Sequence, residues 1–409
     1  MSAGTSRQGL DVVVPAPGEA EVWAEAVVRH FHEDPLDERT RRTLQTVPVE
    51  RRYAVRDGRR IVANAGILSL QMAVPGGATL PCAGITTVGV AQTHRRRGLL
   101  RSLLGRCLRD ARKREEPVAA LFASESAIYP RFGFGASVPI TSLTLERAHG
   151  SFLDPVDPHL VESVEPDQAA ESFPAIMAEV QARTPGMVLR SPEMWRVWIR
   201  YGDPEEDTRS SPRRLVTVPG RGYASYRVRP GWRDGLPAGV VQVAELVATD
   251  PEAEQALWQH VADVDLTSRV EVMMRPEDDP LPLMLTDPLR ARALPLSPLY
   301  TRLLDVVRCL EARAASADGR VVLGLADPFG DQTGTLSIES EGGRLACSWT
   351  EKTPQLSMTT DVLAALWLGG HRAARLRDAR RLVEHDPGSV GRLDSMLVTE
   401  RRPWTPFEF

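Results

Sequence analysis

Hydrophobic residues in the first third of the chain alternate between helical and strand spacing. Apolar positions recur at helical spacing from Glu19 to Phe31, whereas Arg51–Val55 and Arg60–Met72 alternate as strands do, separated by a turn at Asp57-Gly58. A further strand, rich in β-branched residues, is predicted over Ala83–Val90. The pattern predicts a helix followed by at least three strands.

The strand Ala83–Val90 leads through a basic turn into a long amphipathic helix. Pro117 ends this helix, and PVAALFASES predicts the next strand. Strand, tight turn, helix and strand form a crossover unit, so we predict a mixed α/β fold for a first domain over residues 1–148. The apolar face of the helix consists of Leu100, Leu103, Leu104, Cys107, Leu108 and Ala111.

The rest of the chain predicts two further domains. A polar, proline-bearing linker begins near His149, and residues 149–294 repeat the element order of the first domain without an arginine-rich, glycine-containing turn. We therefore expect a second copy of the fold that has lost its anion site. Residues 295–409 begin with a predicted helix over 297–314, continue with three strands and a helix, and end in the aromatic tail WTPFEF. Such a tail is expected to dock rather than fray.

Composition and charge exclude several classes of partner. The formal net charge of -4 on 409 residues provides no overall field that would attract nucleic acid or an anionic membrane. The four cysteines are widely spaced, which favours reduced thiols over a zinc site or a disulfide framework. The sequence has no secretory leader and no run of about 18 apolar residues, so we expect a cytoplasmic protein.

The turn Thr93–Gly98, with sequence THRRRG, has the features of an anion site. A helix N-terminus presents free backbone N–H groups and the positive end of the helix dipole, and both attract phosphate. Gly98 lets a ligand approach the backbone closely, and the arginines add fork-shaped donors. Neither a P-loop nor a G-x-G-x-x-G dinucleotide motif is present. An ordinary charged helix start remains the alternative.

Just upstream, Gly89 interrupts a β-branched strand. Glycine inside a strand usually marks a bulge or the close approach of another backbone. If the strand separates from its neighbour here, peptide groups of Val88 and Val90 become free to pair with an amide-rich pantetheine arm, with one N–H left to polarise a thioester carbonyl. The stretch that begins at Val88 is therefore the first candidate for a ligand site.

A second motif follows the strand LFASES, where AIYPRFGF spans Ala127–Phe134. With the Arg95-x-x-Gly98-x-Leu100 turn, it resembles the GNAT N-acetyltransferases, in which a Gln/Arg-x-x-Gly-x-Gly/Ala loop precedes a tyrosine a few residues before Gly-Phe. Tyr129 takes the place of that tyrosine. Leu100 stands where Gly or Ala is usual, which bears on how tightly the turn closes. More narrowly, THRRRGLLRSLL, ASE-x-x-IY-x-RFGFG, the chain length and the aromatic end resemble the Eis (enhanced intracellular survival) family.

This resemblance implies a fold class and an activity. It implies two tandem GNAT-like domains and a C-terminal sterol-carrier-like domain, all of mixed α/β structure, in a hexameric enzyme. The enzyme would transfer acetyl groups from acetyl-CoA to amines such as aminoglycosides, without a metal. A protein that senses acetyl-CoA or binds a lipid without catalysis is the alternative. The implied acetyl-CoA contacts are Val88, Gly89, Val90, Arg96, Arg97, Gly98, Leu99, Leu100, Arg101, Ser124 and Glu125.

The resemblance also implies the residues that transfer protons. Tyr129 becomes the general acid, because a phenol with a pKa of about 10 is protonated at neutral pH and can donate to a departing thiolate. A buried core tyrosine is the alternative for this residue. The C-terminal carboxylate, here that of Phe409, becomes the base that deprotonates an ammonium substrate.

Acidic and polar groups are expected to line the pocket of a cationic amine. Glu408 is the first candidate, and a polar cluster after the first helix offers more. A metal site in that cluster would lack a further ligand at a familiar spacing, so contact with solvent or substrate is expected instead. The cluster consists of His30, His32, Glu33 and Asp34.

Overall fold

The described residues form three large β-sheets and one two-stranded sheet, and helices pack on the large sheets. The structure, a computed structural model, describes residues 11–33, 35–147, 151–202 and 209–409. Asp34 and His149 lie outside the described residues. All three parts contain both helices and strands, so the predicted mixed α/β class is confirmed.

The first unit begins with a short strand and two helices, and the strands that follow complete most of its sheet. α3 packs its predicted apolar face on the sheet. α2, which the pattern did not predict, begins at the cap Asp37, whose carboxylate accepts a hydrogen bond from the Thr40 N–H at 2.7 Å. The elements are β1 (Val12–Val13), α1 (Ala20–Phe31), α2 (Glu38–Gln45), β2 (Arg52–Asp57), β3 (Arg60–Ala73), β4 (Thr79–Val90), α3 (Leu99–Lys113), β5 (Val118–Phe122), β6 (Gly135–Val138) and β7 (Ile140–Glu146).

The second unit repeats this order. Its central parallel pair, joined by a helix, corresponds to the β4, α3 and β5 crossover of the first unit. The elements are β8 (Glu162–Ser163), α4 (Pro166–Gln181), α5 (Pro192–Tyr201), β9 (Arg214–Val218), β10 (Gly222–Arg229), β11 (Trp232–Arg233), β12 (Leu236–Pro237), β13 (Gly239–Ala248), α6 (Pro251–Ala262), β14 (Thr267–Pro276), α7 (Leu281–Met284) and β15 (Ala291–Pro295).

The third unit contains a five-stranded sheet in the order β19-β18-β17-β20-β21. Its elements, with the strand that precedes them, are β16 (Leu299–Leu303), α8 (Val306–Glu311), β17 (Gly319–Ala326), β18 (Gly334–Glu341), β19 (Arg344–Thr350), β20 (Leu356–Thr359), α9 (Thr360–Leu366), α10 (Ala373–Asp378), β21 (Leu382–Glu384) and α11 (Ser389–Leu397). Over the described ranges, no helix combines the length and the apolar character needed to cross a membrane.

Two strands are exchanged between the first and second sheets. β7 lies between β15 and β14 in the second sheet, and β16 lies between β5 and β6 in the first. The predicted helix over residues 297–314 is therefore wrong, because Leu299–Leu303 is a strand and only Val306–Glu311 is helical. Neighbours on both sides bury every residue of β16, and a short buried run has no periodicity that separates strand from helix. The domain boundaries at residues 148 and 294 stay predictions.

The first sheet separates two hydrophobic cores. α3 covers one face, whose core includes Leu121 and Phe134. The other face, with Cys82 and Phe122, joins a larger core that continues through α1 and α4 into the third unit. Any opening between two strands of this sheet therefore faces one hydrophobic core on one side and the other core on the opposite side.

Candidate active site

β4 and β5 form a fork in the first sheet. These parallel strands pair only between Cys82–Gly84 and Val118–Ala120, yet β4 continues to Val90 and β5 to Phe122. Beyond Gly84, no described strand pairs with the side of β4 that faces β5. Peptide groups on that side of β4 are therefore available to a ligand that binds like an added strand.

The backbone of β4 directs specific amides into this fork. The Ala91 N–H donates to the Val62 carbonyl at 2.9 Å, so Ala91 belongs to a hydrogen-bonded pair with β3. Antiparallel pairs alternate between bonded and non-bonded positions, and the peptide groups of Val90 therefore point away from β3. This orientation places the Val90 N–H on the side of β4 where the sequence predicted a thioester contact.

A bulge in β4 lies at Thr87 and Val88 rather than at Gly89. Two residues of β4 face Ala65 here, and Thr87 has a φ of 55°. Asn64, fully buried, stabilises the bulge by donating from Nδ2 to the Thr87 carbonyl. The sequence pointed to Gly89 because glycine is common at bulges, but the bulged residue here carries a side chain.

Gly89 instead makes room for a side chain of α1. A Cβ on Gly89 would lie 2.8 Å from the Cβ of His30. The His30 Nδ1 contacts Asn64 Oδ1, so a neutral His30 carries its proton on Nδ1 and leaves Nε2 as the acceptor. Burial lowers the pKa of His30 below its usual value, which favours this neutral form. His30 is thus linked to the fork through a buried amide.

The N-terminus of α3 is open. Gly98 precedes the helix with a φ of 83°, and no side chain of the described residues caps the first turn. A Cβ on Gly98 would meet no atom within 4 Å, and Arg95, Arg96 and Arg97 are exposed around it. Free N–H groups, positive charge and empty space coincide here, so the residues fit the diphosphate of a coenzyme.

Tyr129 lies at the end of the segment that follows β5. Its ring packs against Phe134 and Tyr300, with centroids 6.1 and 6.5 Å away, and the residue is 8% exposed. Within the described chain, its hydroxyl makes no hydrogen bond. Burial, with a smaller effect from Glu125, raises the pKa of Tyr129 above its usual value. The phenol is therefore protonated and free to donate.

Arg302 on β16 holds the turn beyond Tyr129, and no feature of the sequence indicated this role. Its guanidinium donates to the Phe132 carbonyl at 2.5 Å and to Asp327 at 2.8 Å. Gly133, with a φ of 78°, is required because a Cβ there would overlap Arg302. The contact joins residues 170 positions apart, so no local pattern predicts it.

The C-terminal tail docks, as its aromatic residues predicted, and it ends at the fork. The Trp404 indole donates to the Met274 carbonyl at 2.6 Å. Phe407 is 4% exposed and lies 3.9 Å from the guanidinium of Arg190 in the second unit. The Phe409 ring lies beside Gly84 and 5.4 Å from the ring of Phe122, where β4 and β5 separate.

The fork thus brings together several of the predicted site residues. Phe409 packs in the core on one face of the sheet and Tyr129 in the core on the other, and both cores reach the separated strands. Ser124 and Glu125 are exposed directly after β5, while Leu99 and Leu100 begin α3. Glu408 is exposed next to Phe409.

The polar cluster after α1 divides into two parts. His30 reaches β4, whereas His32 and Glu33 are exposed beyond the end of α1. In the described ranges, no group of three or more histidine, cysteine or acidic side chains is arranged to hold a metal ion.

Comparison with known proteins assigns this geometry to a class. An acetyltransferase (GNAT) domain family matches residues 16–137, a second acetyltransferase (GNAT) family matches residues 186–303, and the sterol carrier protein domain family matches residues 306–406. The chain is an acetyltransferase with two GNAT domains and a sterol-carrier-like domain. GNAT acetyltransferases use acetyl-CoA, which agrees with the open α3 terminus.

Full-length relatives identify the family within this class. The chain is 34% identical over 383 residues to the N-acetyltransferase Eis of Mycobacterium tuberculosis, covering 90% of this chain and 91% of the relative. It is 33% identical to an uncharacterized N-acetyltransferase of Streptomyces avermitilis, covering 98% and 99%. The crystal structure of Eis1 from Mycobacterium abscessus superposes with a TM-score of 0.83 at 28% identity, covering 98% of this chain and all of the other. The chain belongs to the Eis family of N-acetyltransferases, as its motifs predicted.

Proposed function

We propose that the enzyme transfers an acetyl group from acetyl-CoA directly to an amine at the fork between β4 and β5. One observation supports this proposal: Tyr129 belongs to the core on one face of the first sheet, and the ring of Phe409, the residue that carries the terminal carboxylate, packs on the other face beside Gly84. An acid on one side and a base on the other suit a reaction in which the nucleophile loses a proton and the leaving group gains one.

In the proposed mechanism, each residue acts once. The Phe409 carboxylate removes a proton from the ammonium of the acceptor, which becomes a neutral amine able to attack the thioester carbon. The Val90 N–H stabilises the negative charge that develops on the thioester oxygen. Tyr129 donates its proton to the sulfur as the carbon–sulfur bond breaks, and the attacking nitrogen releases its second surplus proton to solvent. The products are the amide and free coenzyme A, and Tyr129 and Phe409 regain their starting protonation states by exchange with solvent. Cys107 is fully buried and burial raises its pKa to about 12, so a covalent thiol intermediate is disfavoured.

Replacement of the Tyr129 hydroxyl tests the acid. Tyr129→Phe should lower kcat by roughly 10²–10⁴-fold, as expected for loss of a general acid. The variant's affinity for coenzyme A and its thermal stability should change little, because the Tyr129 hydroxyl makes no hydrogen bond to a described residue. Thiol release with a panel of amines gives kcat, and Tyr300→Phe, in the same core, is the matched control. A loss of less than about tenfold would remove Tyr129 from the mechanism.

A one-residue extension tests the base. Added after Phe409, a glycine moves the carboxylate by about 3.5 Å while leaving the aromatic ring in place. We expect a loss of kcat at pH 7 that shrinks as the pH rises, because the acceptor then loses its proton without help. Phe409→Leu, which keeps the carboxylate in position, is the control. Unchanged activity at pH 7 in the extended chain would exclude this role.

The acceptor and the assembly are proposed on family grounds. Amines such as aminoglycosides, in contact with Glu408, His30 and Glu33, are the acceptors to screen first. A hexamer located in the cytoplasm is the expected form, and sedimentation velocity tests its size. If coenzyme A binds but no amine yields free thiol, a non-catalytic sensor of acetyl-CoA becomes the better explanation.

A further inference from the structure

A buried ion pair of the second GNAT domain contacts the C-terminal tail. Arg190 and Glu245 are 6% and 2% exposed, and the guanidinium donates to both carboxylate oxygens, at 3.0 and 2.6 Å. The Tyr223 hydroxyl donates to the same carboxylate. Burial raises the pKa of Tyr223 well above its usual value, so this phenol stays a donor. The Arg190 guanidinium is therefore fixed along one edge.

Three aromatic rings surround this guanidinium. Trp195 and Trp198 of α5 lie 4.9 and 4.5 Å from it, and Phe407 of the tail lies nearest, at 3.9 Å. A planar guanidinium in bidentate contact with a carboxylate presents a defined surface to a ring, which a lysine ammonium does not. Phe407 is therefore held in place by residues that belong to another domain.

The backbone before Arg190 is joined to the first sheet. The Ala73 N–H donates to the Met187 carbonyl at 2.9 Å, and the Leu189 N–H donates to the Gln71 carbonyl at 3.4 Å. Gln71 and Ala73 belong to β3, the strand that pairs with β4. The position of Arg190 is therefore fixed relative to one side of the fork.

Phe407 is also close to the terminal carboxylate along the chain. Two extended residues reach at most about 7 Å, and the Phe409 ring lies beside Gly84 at the fork. Trp404, by contrast, lies five residues before the end, where its ring is 5.1 Å from the guanidinium of Arg275. Movement at Phe407 is therefore passed on to the carboxylate, whereas the intervening residues can absorb movement at Trp404.

Stability alone does not account for the pair between Arg190 and Glu245. Removing two charges from water costs about as much as their attraction returns, and apolar residues of similar volume often replace such a pair without loss of stability. An apolar replacement would, however, lack the fixed guanidinium plane against Phe407. The pair is therefore better explained by the orientation that it gives to the tail.

We propose that Arg190 is a positioning residue for the terminal carboxylate: its pair with Glu245 orients Phe407, and Phe407 in turn keeps the Phe409 carboxylate at the fork. The inference rests on the proposed function, because it requires this carboxylate to be the base. It gives the second GNAT domain a part in acetyl transfer, as the support of a base that the end of the chain supplies.

Arg190→Lys tests this role, because lysine keeps a charge for Glu245 but has no planar group for Phe407. We expect kcat for acetyl transfer at pH 7 to fall by about 10- to 100-fold, since a displacement of about 1 Å is enough to misplace the base. The loss should shrink as the pH rises, as for the extended chain, whereas the affinity for coenzyme A, measured by calorimetry, should not change. Arg275→Lys is the matched control, because it alters a buried, ion-paired arginine beside Trp404 and should leave kcat per folded molecule close to that of the wild type.

A second variant and a double-variant cycle separate positioning from general damage. Phe407→Leu removes the same contact from the side of the tail and leaves the pair between Arg190 and Glu245 intact, so it replaces Arg190→Lys if that variant does not fold. In the chain extended by one glycine the carboxylate is already displaced, so either substitution should lower kcat by less than about twofold more.

The results that would overturn this inference differ from those that would overturn the proposed function. Wild-type kcat in both Arg190→Lys and Phe407→Leu, beside an impaired extended chain, would exclude positioning and leave the proposed function intact. Losses that multiply in the double variants, or that are equal at every pH, would show an effect independent of the carboxylate and would also exclude it. If the extended chain is as active as the wild type, the proposed base fails, and this inference fails with it.

Discussion

The two GNAT domains contain the same strand–helix–strand crossover, yet the N-termini of the crossover helices α3 and α6 differ. α3 begins at Gly98, with bare N–H groups and open space above them. α6 begins at Asp250, whose carboxylate accepts the Ala253 N–H at 3.0 Å and pairs with Arg221. The aspartate supplies the negative charge that a phosphate would bring, so the second helix dipole is already satisfied.

The second domain has a corresponding fork between β13 and β14, but side chains close this fork. β13 and β14 also cease to pair, after Val243 and Val272, but Arg275 spans the gap by donating to the Leu246 carbonyl at 2.7 Å. Its charge is balanced by Glu254 and Asp279, each at 2.5 Å. A few polar side chains therefore convert a ligand site into internal structure without changing the fold.

Removing Arg275 should have the largest effect on stability. Arg275→Met leaves the buried carboxylate of Asp279 and the half-buried carboxylate of Glu254 without their partner and should cost about 3 kcal/mol of unfolding free energy. Denaturant unfolding measures this loss of free energy. Arg320→Met is the control, because it removes an exposed ion pair with Glu339 and should cost under about 1 kcal/mol. Acetyl transfer per folded molecule should persist. A variant as stable as the wild type would mean that Arg275 does not hold the second fork together.

Giving α3 an acidic N-cap like that of α6 should strongly weaken coenzyme binding. Gly98→Asp places a carboxylate where the diphosphate is expected, and we predict an affinity for coenzyme A lower by about 100-fold or more. Gly220→Asp is the control, because Gly220 has a similar φ of 68° and equally open surroundings away from the fork. Comparable affinity of Gly98→Asp and wild type would disprove the diphosphate site at α3.

Removing the cap of α6 should have the smallest effect. Asp250→Ala should cost about 1 kcal/mol at pH 7, with Asp37→Ala, the cap of α2, as the benchmark. The hydrogen bond from Arg221 lowers the pKa of Asp250 below its unfolded value. As the pH falls, Asp250 is therefore protonated in the unfolded chain before it is protonated in the folded one. Its contribution to the free energy of unfolding is present at neutral pH and is lost as the pH falls below about 3.9 and through the folded-state pKa. A difference between wild type and variant that does not shrink as the pH falls below about 3.9 would contradict this account.

Local sequence predicted much of the first domain. β4, the turn before α3 and the segment around Tyr129 are each encoded by neighbouring residues, through periodicity, turn chemistry and a short motif. Gly98 is an example, because an open helix start needs only that residue and its arginines. Such features are visible in sequence because their causes are local.

Contacts between distant residues could not be predicted in this way. The local pattern of β16 predicts a helix, and only its pairing with β5 and β6 makes it a strand. Arg302 donates a hydrogen bond to a turn that lies far upstream in the chain. The contact between His30 and Gly89 likewise depends on how α1 packs on β4. Arg190, whose guanidinium lies on Phe407, belongs to a different domain from the site it helps to form. These residues become recognisable only once the sheets are assembled.

The exchange of β7 and β16 makes the two halves of the enzyme interdependent. β16 is part of the first sheet, but a chain that stops near residue 148 lacks it, and the remainder lacks β7. Each fragment would expose strand edges that only the other can cover. Neither half is therefore suited to production on its own, and a complementation experiment requires the two halves to be produced together in one cell, where each supplies the strand that the other lacks.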